Sequence, residues 1–188
     1  ARAPNAFYAE LAQRAAVVPG VTDVIVASAA PLTSAFLIGA LQVEGQPDPP
    51  MGTTAFINFN GVTPDYFRMI GMRFALGSTF TDTTNAAGQA IVNETMARQL
   101  WPNRSAIGRK VRVVYNGQGE WKTVVGVVAD ALTRGRTDRG EPMLYLPGPT
   151  FSSVLLVRTS GDARVIRTIA DLARNIDAAI APPSVTNV

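Results

Sequence analysis

The segment from residue 89 to residue 101 constrains the fold more than any other part of the sequence. Residues 89–92 predict a buried strand, since Ala90, Ile91 and Val92 form an apolar run, and Asn93 directly after them is a typical N-cap of a helix. One face of that helix is apolar: Met96, Leu100 and Trp101. Pro102 ends the helix, since a proline cannot continue it. A strand, a cap and an amphipathic helix therefore follow one another without a linker.

Two further strands are predicted downstream of this helix, over residues 110–115 and 122–128. Between them, Asn116-Gly-Gln-Gly119 is rich in residues that tolerate positive φ, as a hairpin turn requires. The whole segment contains no nucleophile–base pair, no cluster of metal ligands and no phosphate loop. We therefore interpret Glu94 as a helix-start charge, Arg98 as a contact at the surface or between two lobes of the domain, and the segment as structural.

Composition excludes several kinds of chemistry. The chain of 188 residues has no cysteine and no histidine, so it has no thiolate metal site, no cysteine nucleophile and no histidine base. The 17 basic and 14 acidic residues are interspersed, which argues against nucleic acid as a partner. No apolar run is long enough for a membrane span. With 47% apolar residues, the chain can build a core without disulfides or metals.

The remaining elements are strands and helices in mixed order. Strands are predicted at residues 21–27, 36–43, 55–61, 142–146 and 153–159, and a helix at 5–18. The segment 72–80 is expected to lead into a polar loop over residues 81–88. These elements predict a mixed α+β class. A helix–strand unit opens the chain and a strand–helix–strand unit closes it, so the two ends are expected to pack together.

A short helix is predicted just after residue 62. Thr63 is the expected N-cap and Pro64 the first helical residue. Val62 and Phe67 have the spacing of a hydrophobic staple, and Gly71 is the expected C-terminal glycine.

The last helix has the strongest amphipathic pattern in the sequence. Its apolar residues recur every three or four positions: Ile166, Ile169, Leu172, Ala173, Ile176 and Ile180. This spacing predicts one buried face, with Asp162 as the cap.

The sequence gives little support for an active site. There is no Gly-x-Ser-x-Gly elbow, and a Ser–Lys arrangement would rest on Ser105 and Lys110, five residues apart. A carboxylate pair of the glycosidase type stays open at this point, although Asp65, Glu94 and Asp162 stand at helix starts, where capping and helix-dipole effects explain them. We predict no catalytic residue, no metal and no cofactor.

One loop stands out by its charge. Residues 130–140 are glycine-containing and carry a charged group: Arg134, Arg136, Asp138 and Arg139. They lack the Gly-x-x-x-x-Gly-Lys pattern of a nucleotide site. A solvated surface loop is the structural interpretation, and a loop that contacts a partner or lipid headgroups is the functional one.

Five segments in order resemble the periplasmic core domain of MacB/FtsX-type ABC transporter permeases, most closely the duplicated permeases of acidobacteria and related bacteria. They begin Gly61-Val-Thr-Pro-Asp-Tyr-Phe, Ala90-Ile-Val-Asn-Glu-Thr, Ile107-Gly-Arg-Lys, Trp121-Lys-Thr-Val-Val-Gly and Glu141-Pro-Met-Leu-Tyr-Leu-Pro147. The resemblance covers about residues 5–180.

The resemblance implies a non-catalytic domain on the periplasmic side of the bacterial cell membrane, between two transmembrane helices of a permease. It implies a porter-like βαβ lobe, about residues 1–33, 53–75 and 150–188, and a mainly β Sabre-like lobe, about 34–52 and 76–149. It further implies that movement driven by an ATP-binding subunit or domain passes through the transmembrane helices to this domain, with a periplasmic adaptor or a second permease copy as partner. The alternative is a stand-alone extracytoplasmic ligand-binding or hydrolase domain.

Overall fold

The computed structural model describes residues 4–31, 37–47, 56–81, 86–114, 119–131, 140–149, 153–160 and 163–177. Four α-helices lie in these ranges: α1 Pro4–Ala16, α2 Tyr66–Met69, α3 Glu94–Leu100 and α4 Ala163–Ile176. Nine strands accompany them: β1 Val21–Ala27, β2 Leu37–Val43, β3 Phe56–Val62, β4 Phe74–Gly77, β5 Gln89–Asn93, β6 Lys110–Val114, β7 Lys122–Val128, β8 Met143–Pro147 and β9 Val154–Thr159. The predicted mixed α+β class is confirmed.

Six of the strands close into a ring. Hydrogen-bonded neighbours follow the order β2-β6-β7-β5-β8-β3, and β3 pairs back to β2. The β5–β7 and β3–β8 pairs are parallel, and the other four pairs of the ring are antiparallel. Closure leaves these strands without a free sheet edge along the ring. The sheet continues outward from β3 through β1 to β9.

Alternation along the strands fills the inside of this ring with apolar side chains. In β5, Ala90 and Val92 belong to one buried cluster while Ile91 between them belongs to another on the opposite face. Every strand of the ring contributes to the first cluster, which we call the ring interior: Leu41, Val43, Ile57, Phe59, Ala90, Val92, Val111, Val124, Val127, Leu144 and Leu146. Met96 and Trp101, at the two ends of α3, also belong to this cluster, so the predicted packing role of Trp101 is confirmed.

The aromatic side chains of α2 cover the outer face of the ring. Phe67 meets Tyr145 with ring centroids 5.1 Å apart and Phe74 at 5.2 Å, in edge-to-face geometry. Val62 and Phe67, the predicted staple pair, are both buried in this outer cluster. Gly71 has a φ of 75°, and Met72 N donates to Phe67 O at 2.8 Å, so the predicted glycine stop is confirmed.

The predicted N-cap of α2 is wrong. The helix begins at Tyr66, and the residue at the cap position is Asp65, whose side chain makes no cap hydrogen bond. Thr63 ends β3 instead: its N–H donates to Val26 O, and its own carbonyl accepts from Tyr66 N. The Thr63 hydroxyl is buried without a partner.

The two ends of the described chain meet on one side of the sheet. Strand β1 pairs antiparallel with β9 from Val21–Thr159 to Ala27–Val154. Helices α1 and α4 pack over these strands around buried Phe7, Leu11 and Ala173. The predicted stripe of α4 is confirmed for Ile169, Leu172, Ala173 and Ile176; Ile166 is half-buried, and Asp162 and Ile180 lie outside the described residues. We call this assembly the terminal layer.

Strand β4 was not predicted. Phe74–Gly77 pairs antiparallel with β7, in a segment that the sequence indicated as a connection. An extra residue interrupts the register between Phe74 and Leu76, and Gly77 has a φ of 66°.

Candidate partner-contact site

The charged loop predicted to face a partner is described only at its two ends. Arg134, Arg136, Asp138 and Arg139 all lie outside the described residues. The structure describes the residues that lead into the loop, through Ala131, and those that follow from Gly140. Both ends lie against the start of α3.

The entry to the loop is held by Asp130. Its carboxylate accepts from Thr95 N at 2.9 Å, from Thr95 Oγ1 at 2.7 Å and from Arg98 Nη2 at 3.0 Å. Partial burial acts to raise the pKa of Asp130, but the hydrogen bonds from Thr95 and Arg98 and the charge of Arg98 outweigh it. The pKa therefore lies below its ordinary value of 3.8. We call these hydrogen bonds, together with those that hold the exit of the loop, the clamp. Arg98, predicted as a contact residue, belongs to it.

The exit from the loop is held by Glu141. Its carbonyl accepts from Asn93 Nδ2 at 2.8 Å, and its carboxylate Oε2 accepts from Asn58 Nδ2, also at 2.8 Å. A Cβ built on Gly140 would lie 2.7 Å from Asp130 Cγ, so the entry and the exit are in direct contact and only glycine fits there.

Asn93 joins the loop to the ring. Its Oδ1 accepts from Met96 N, as the predicted N-cap, and also from Met143 N in β8, both at 3.0 Å. With its Nδ2 on Glu141, one buried side chain connects the helix start, the strand β8 and the loop exit. A buried amide with three partners fixes a local geometry, since losing one leaves a polar group unpaired.

Sequence reasoning identified Asn93 and Arg98 but missed Thr95, Asn58 and Glu141. Thr95 meets a residue 35 positions away, and Asn58 meets one 83 positions away. No local pattern marks such pairs, because the pairing of distant strands brings them together.

The hydrogen bonds of Asp130 and Glu141 hold the two described ends of the loop next to the start of α3. The oxygens of Asp130 and Glu141 accept hydrogen bonds from side chains and backbone that position the loop. Within the described part of the chain, no three His, Cys, Asp or Glu residues come together as a metal site could require.

The buried phenols nearby belong to the aromatic packing. Burial raises the pKa of Tyr66 to about 12, against a smaller lowering by its hydrogen bond with Asn60. Burial, and then the charges of Tyr66 and Asp130, raise the pKa of Tyr145. Both phenols are therefore neutral at physiological pH.

The helices of the described ranges are all too short or too polar to cross a bilayer.

Comparison with known proteins gives consistent matches over nearly the whole chain. A family model described as "MacB-like periplasmic core domain" matches residues 2–182. The periplasmic region of MacB from Actinobacillus actinomycetemcomitans is 18% identical, with a TM-score of 0.62 over 90% of this chain and 73% of that one. The extracellular domain of the ABC-type transporter YknZ from Gram-positive bacteria is 21% identical, with a TM-score of 0.65 over 95% and 88%. No curated protein sequence matches. At these sequence identities, the two comparisons establish that this chain shares its fold with both domains.

Proposed function

Because the chain belongs to the MacB-like periplasmic core domain family, we propose that it couples movement of transmembrane helices to events outside the membrane. Family membership makes it an extracytoplasmic part of a MacB-like ABC transporter permease. In the proposed role it catalyses nothing itself: ATP hydrolysis elsewhere moves the helices, and the helices move this domain.

The observation that carries the proposal is the meeting of the two chain ends. Helices α1 and α4 pack against each other, and β1 and β9 are paired along most of their lengths. A domain inserted between two membrane helices needs both ends at one place. The terminal layer supplies that place, so a displacement of either flanking helix would act on the same edge of the sheet.

The closed ring supports the same role. A pulled domain transmits displacement only if it keeps its shape, and six strands around a filled interior resist deformation. The clamp of Asp130, Asn93 and Glu141 fixes the ends of the loop 132–139 on this body. We propose that the loop, with Arg134, Arg136, Asp138 and Arg139, faces a periplasmic adaptor or a second permease copy.

The division into lobes is part of the same proposal. The porter-like lobe would hold residues 1–33, 53–75 and 150–188, and the Sabre-like lobe residues 34–52 and 76–149. An ATP-binding subunit or domain elsewhere in the transporter would drive the transmembrane helices.

A flexible insertion at the membrane end tests the coupling. The experiment uses the full-length permease in nanodiscs, with an eight-residue Gly/Ser linker placed directly before Pro4. Such a linker spans roughly 15 Å as a random coil and transmits little force. Because this chain has no cysteine, Gln99→Cys on exposed α3 offers a single dye position in a permease whose other cysteines are replaced. Energy transfer to an acceptor lipid reports the position of the domain.

We expect ATP to change the energy transfer in the permease without the linker, and the linker to abolish that change while ATP hydrolysis continues. The matched control carries the same linker after Gly45. This glycine lies in an exposed turn, and a side chain added there would meet no neighbouring atom within 4 Å. This control should respond to ATP like the parent. An unchanged response with the linker before Pro4, or no ATP response in the parent, would contradict the proposal.

A further inference from the structure

Strand β4 presents an outer edge that no described strand covers. Along one side of β7, β6 pairs with Lys122 and Thr123, and β4 pairs with the stretch from Gly126 to Val128. The turn before β6 and the residue after β4 fill the space between: Gly108 N donates to Val124 O, and Ser78 N donates to Val125 O. The two segments thus lie end to end on β7, and β4 has β7 as its only partner among the described strands.

Exposed apolar side chains lie at the end of this strand. Leu76 is 51% exposed and Ile107 is 38% exposed, two of the four large apolar residues that the described chain leaves open to solvent. A Cβ on Gly77 would lie 3.0 Å from Ile107 Cδ1, so Ile107 covers the backbone next to Leu76. Adjacent exposed apolar side chains on a well-packed protein mark a contact surface.

Exposed arginines stand at both ends of the strand. Arg73 precedes β4, and Arg109 follows Ile107 in the turn that meets the other end. Arg73 and Gly77 lie opposite Ala129 and Gly126 of β7, three strand steps apart because of the extra residue in β4, about 10 Å at the usual rise. Neither guanidinium has a carboxylate partner among the described residues, in contrast to Arg68 and Arg98, which both form ion pairs.

We infer that the surface formed by Arg73, Leu76, Gly77, Ile107 and Arg109, the β4 edge patch, binds an extended segment of a partner protein. That segment carries apolar side chains between two carboxylates. The apolar centre would cover Leu76 and Ile107, and the carboxylates would pair with the two arginines. The extra residue within β4 shortens the regular ladder, so side chains supply most of the recognition.

Charge disfavours a second copy of this chain as the occupant. Symmetric pairing of two β4 edges about a two-fold axis would be antiparallel. Arg73 of one copy would then lie at the Gly77 end of the other, next to its Arg109. Like charges would face each other at both ends of the contact, whereas an acidic segment satisfies both.

A designed peptide tests the patch on the full-length permease in nanodiscs of phosphatidylcholine. The probe is a fluorescein-labelled seven-residue peptide, blocked at both ends, with glutamates at its second and sixth positions and valine or leucine between them. The four strand steps between the glutamates, about 13 Å, exceed the span of β4 by one step, which the long arginine side chains accommodate. Anisotropy is compared for the permease, for Arg73→Glu/Arg109→Glu, and for Arg167→Glu, a control at an exposed arginine on α4.

We expect the double reversal to weaken binding at least tenfold and the Arg167→Glu control to leave it unchanged. A peptide with lysines in place of the glutamates should bind the double variant better than the parent. Unchanged thermal unfolding of all variants checks that the exposed substitutions leave the fold intact.

Three results would overturn the inference. The first is equal binding of the glutamate and lysine peptides to the parent, or no binding of either. The second is binding of the parent to phosphatidylglycerol vesicles that displaces the peptide, which would make the patch a membrane contact. The third is a dimer of the parent that the double reversal dissociates, which would make the patch an interface between copies.

Discussion

The ring interior and the terminal layer are both apolar, but they are enclosed to different degrees. Each of six strands contributes buried side chains to the ring interior, and Met96 of α3 and Trp101 directly after α3 pack there too. In the terminal layer, the cluster that joins α1 and α4 has three buried members, Phe7, Leu11 and Ala173, and the apolar side chains packed against it are half-buried. Ala15 and Val165 on the same helices are buried as well. Opening free energy follows buried apolar contact, so the terminal layer should rearrange at lower cost than the ring. A rigid ring joined to a more easily rearranged terminal layer can be displaced as a whole by forces that act on the terminal layer.

The largest expected effect is in the ring. Phe59, 2% exposed, packs in its interior, and Phe59→Ala should lower the free energy of unfolding by about 3–5 kcal/mol because the surrounding strands cannot collapse into the space. Denaturant unfolding of the 188-residue chain measures it. A loss below about 1 kcal/mol would mean that the ring adapts easily, and the contrast between the two regions would fail.

A smaller effect is expected in the terminal layer. Leu11→Ala should cost about 2–3 kcal/mol, at the low end for such a substitution, because half-buried Ile169 and Ile176 can move toward the space. Hydrogen exchange by residue sharpens the test. Amides of α1 and α4 should exchange faster while those of β5 and β8 keep their protection. Equal acceleration in all four elements would show one cooperative unit.

The smallest effect concerns the polar clamp on the ring. Asp130→Asn should cost about 1 kcal/mol at neutral pH, since it weakens charge-assisted hydrogen bonds from Thr95 and Arg98. Because the pKa of Asp130 is lowered in the folded state, the unfolded chain binds this proton more readily. The stabilisation is therefore present above the ordinary pKa of 3.8 and is lost as the pH falls through the folded-state pKa.

Unfolding of the parent and the Asp130→Asn variant at several pH values should thus give curves that converge in acid. A double-mutant cycle with Thr95→Val provides the control, and the two substitutions should couple because they remove the same contact. Strictly additive effects of the two substitutions on the free energy of unfolding would contradict the clamp. So would a stability difference between the parent and Asp130→Asn that grows as the pH falls.

Features set by a few neighbouring residues were predictable from the sequence. Asn93 was identified because a cap followed by an apolar stripe is a local signal, and Gly71 because a helix stop calls for positive φ. The stripe of α4 was identified by its period. In the candidate site, the same local signal found Asn93, but its second acceptor role toward Met143 depends on the β5–β8 pairing.

Features set by distant strands were not predictable in this way. The residues of β4 carry no alternation, and the strand exists because β7 offers it an edge. Thr63 has the sequence of a cap, but its N–H pairs with Val26 O of β1, the one-turn helix begins only at Tyr66, and the Thr63 hydroxyl is left unpaired. The closing pair β2–β3 likewise depends on residues far from either strand's own pattern.

The pairing of β1 with β9 also fixes when the domain can finish folding. Thr22 Oγ1 donates to the carbonyl of Arg158, 136 residues later. A contact between residues so far apart in sequence forms late, because closing the long loop between them costs conformational entropy before the contact stabilises the fold. The ring can assemble once β8 has been synthesised, but β1 gains its longest pairing, and α1 its partner helix, only after β9 and α4 have followed. The first helix of the domain is thus among the last parts to be secured.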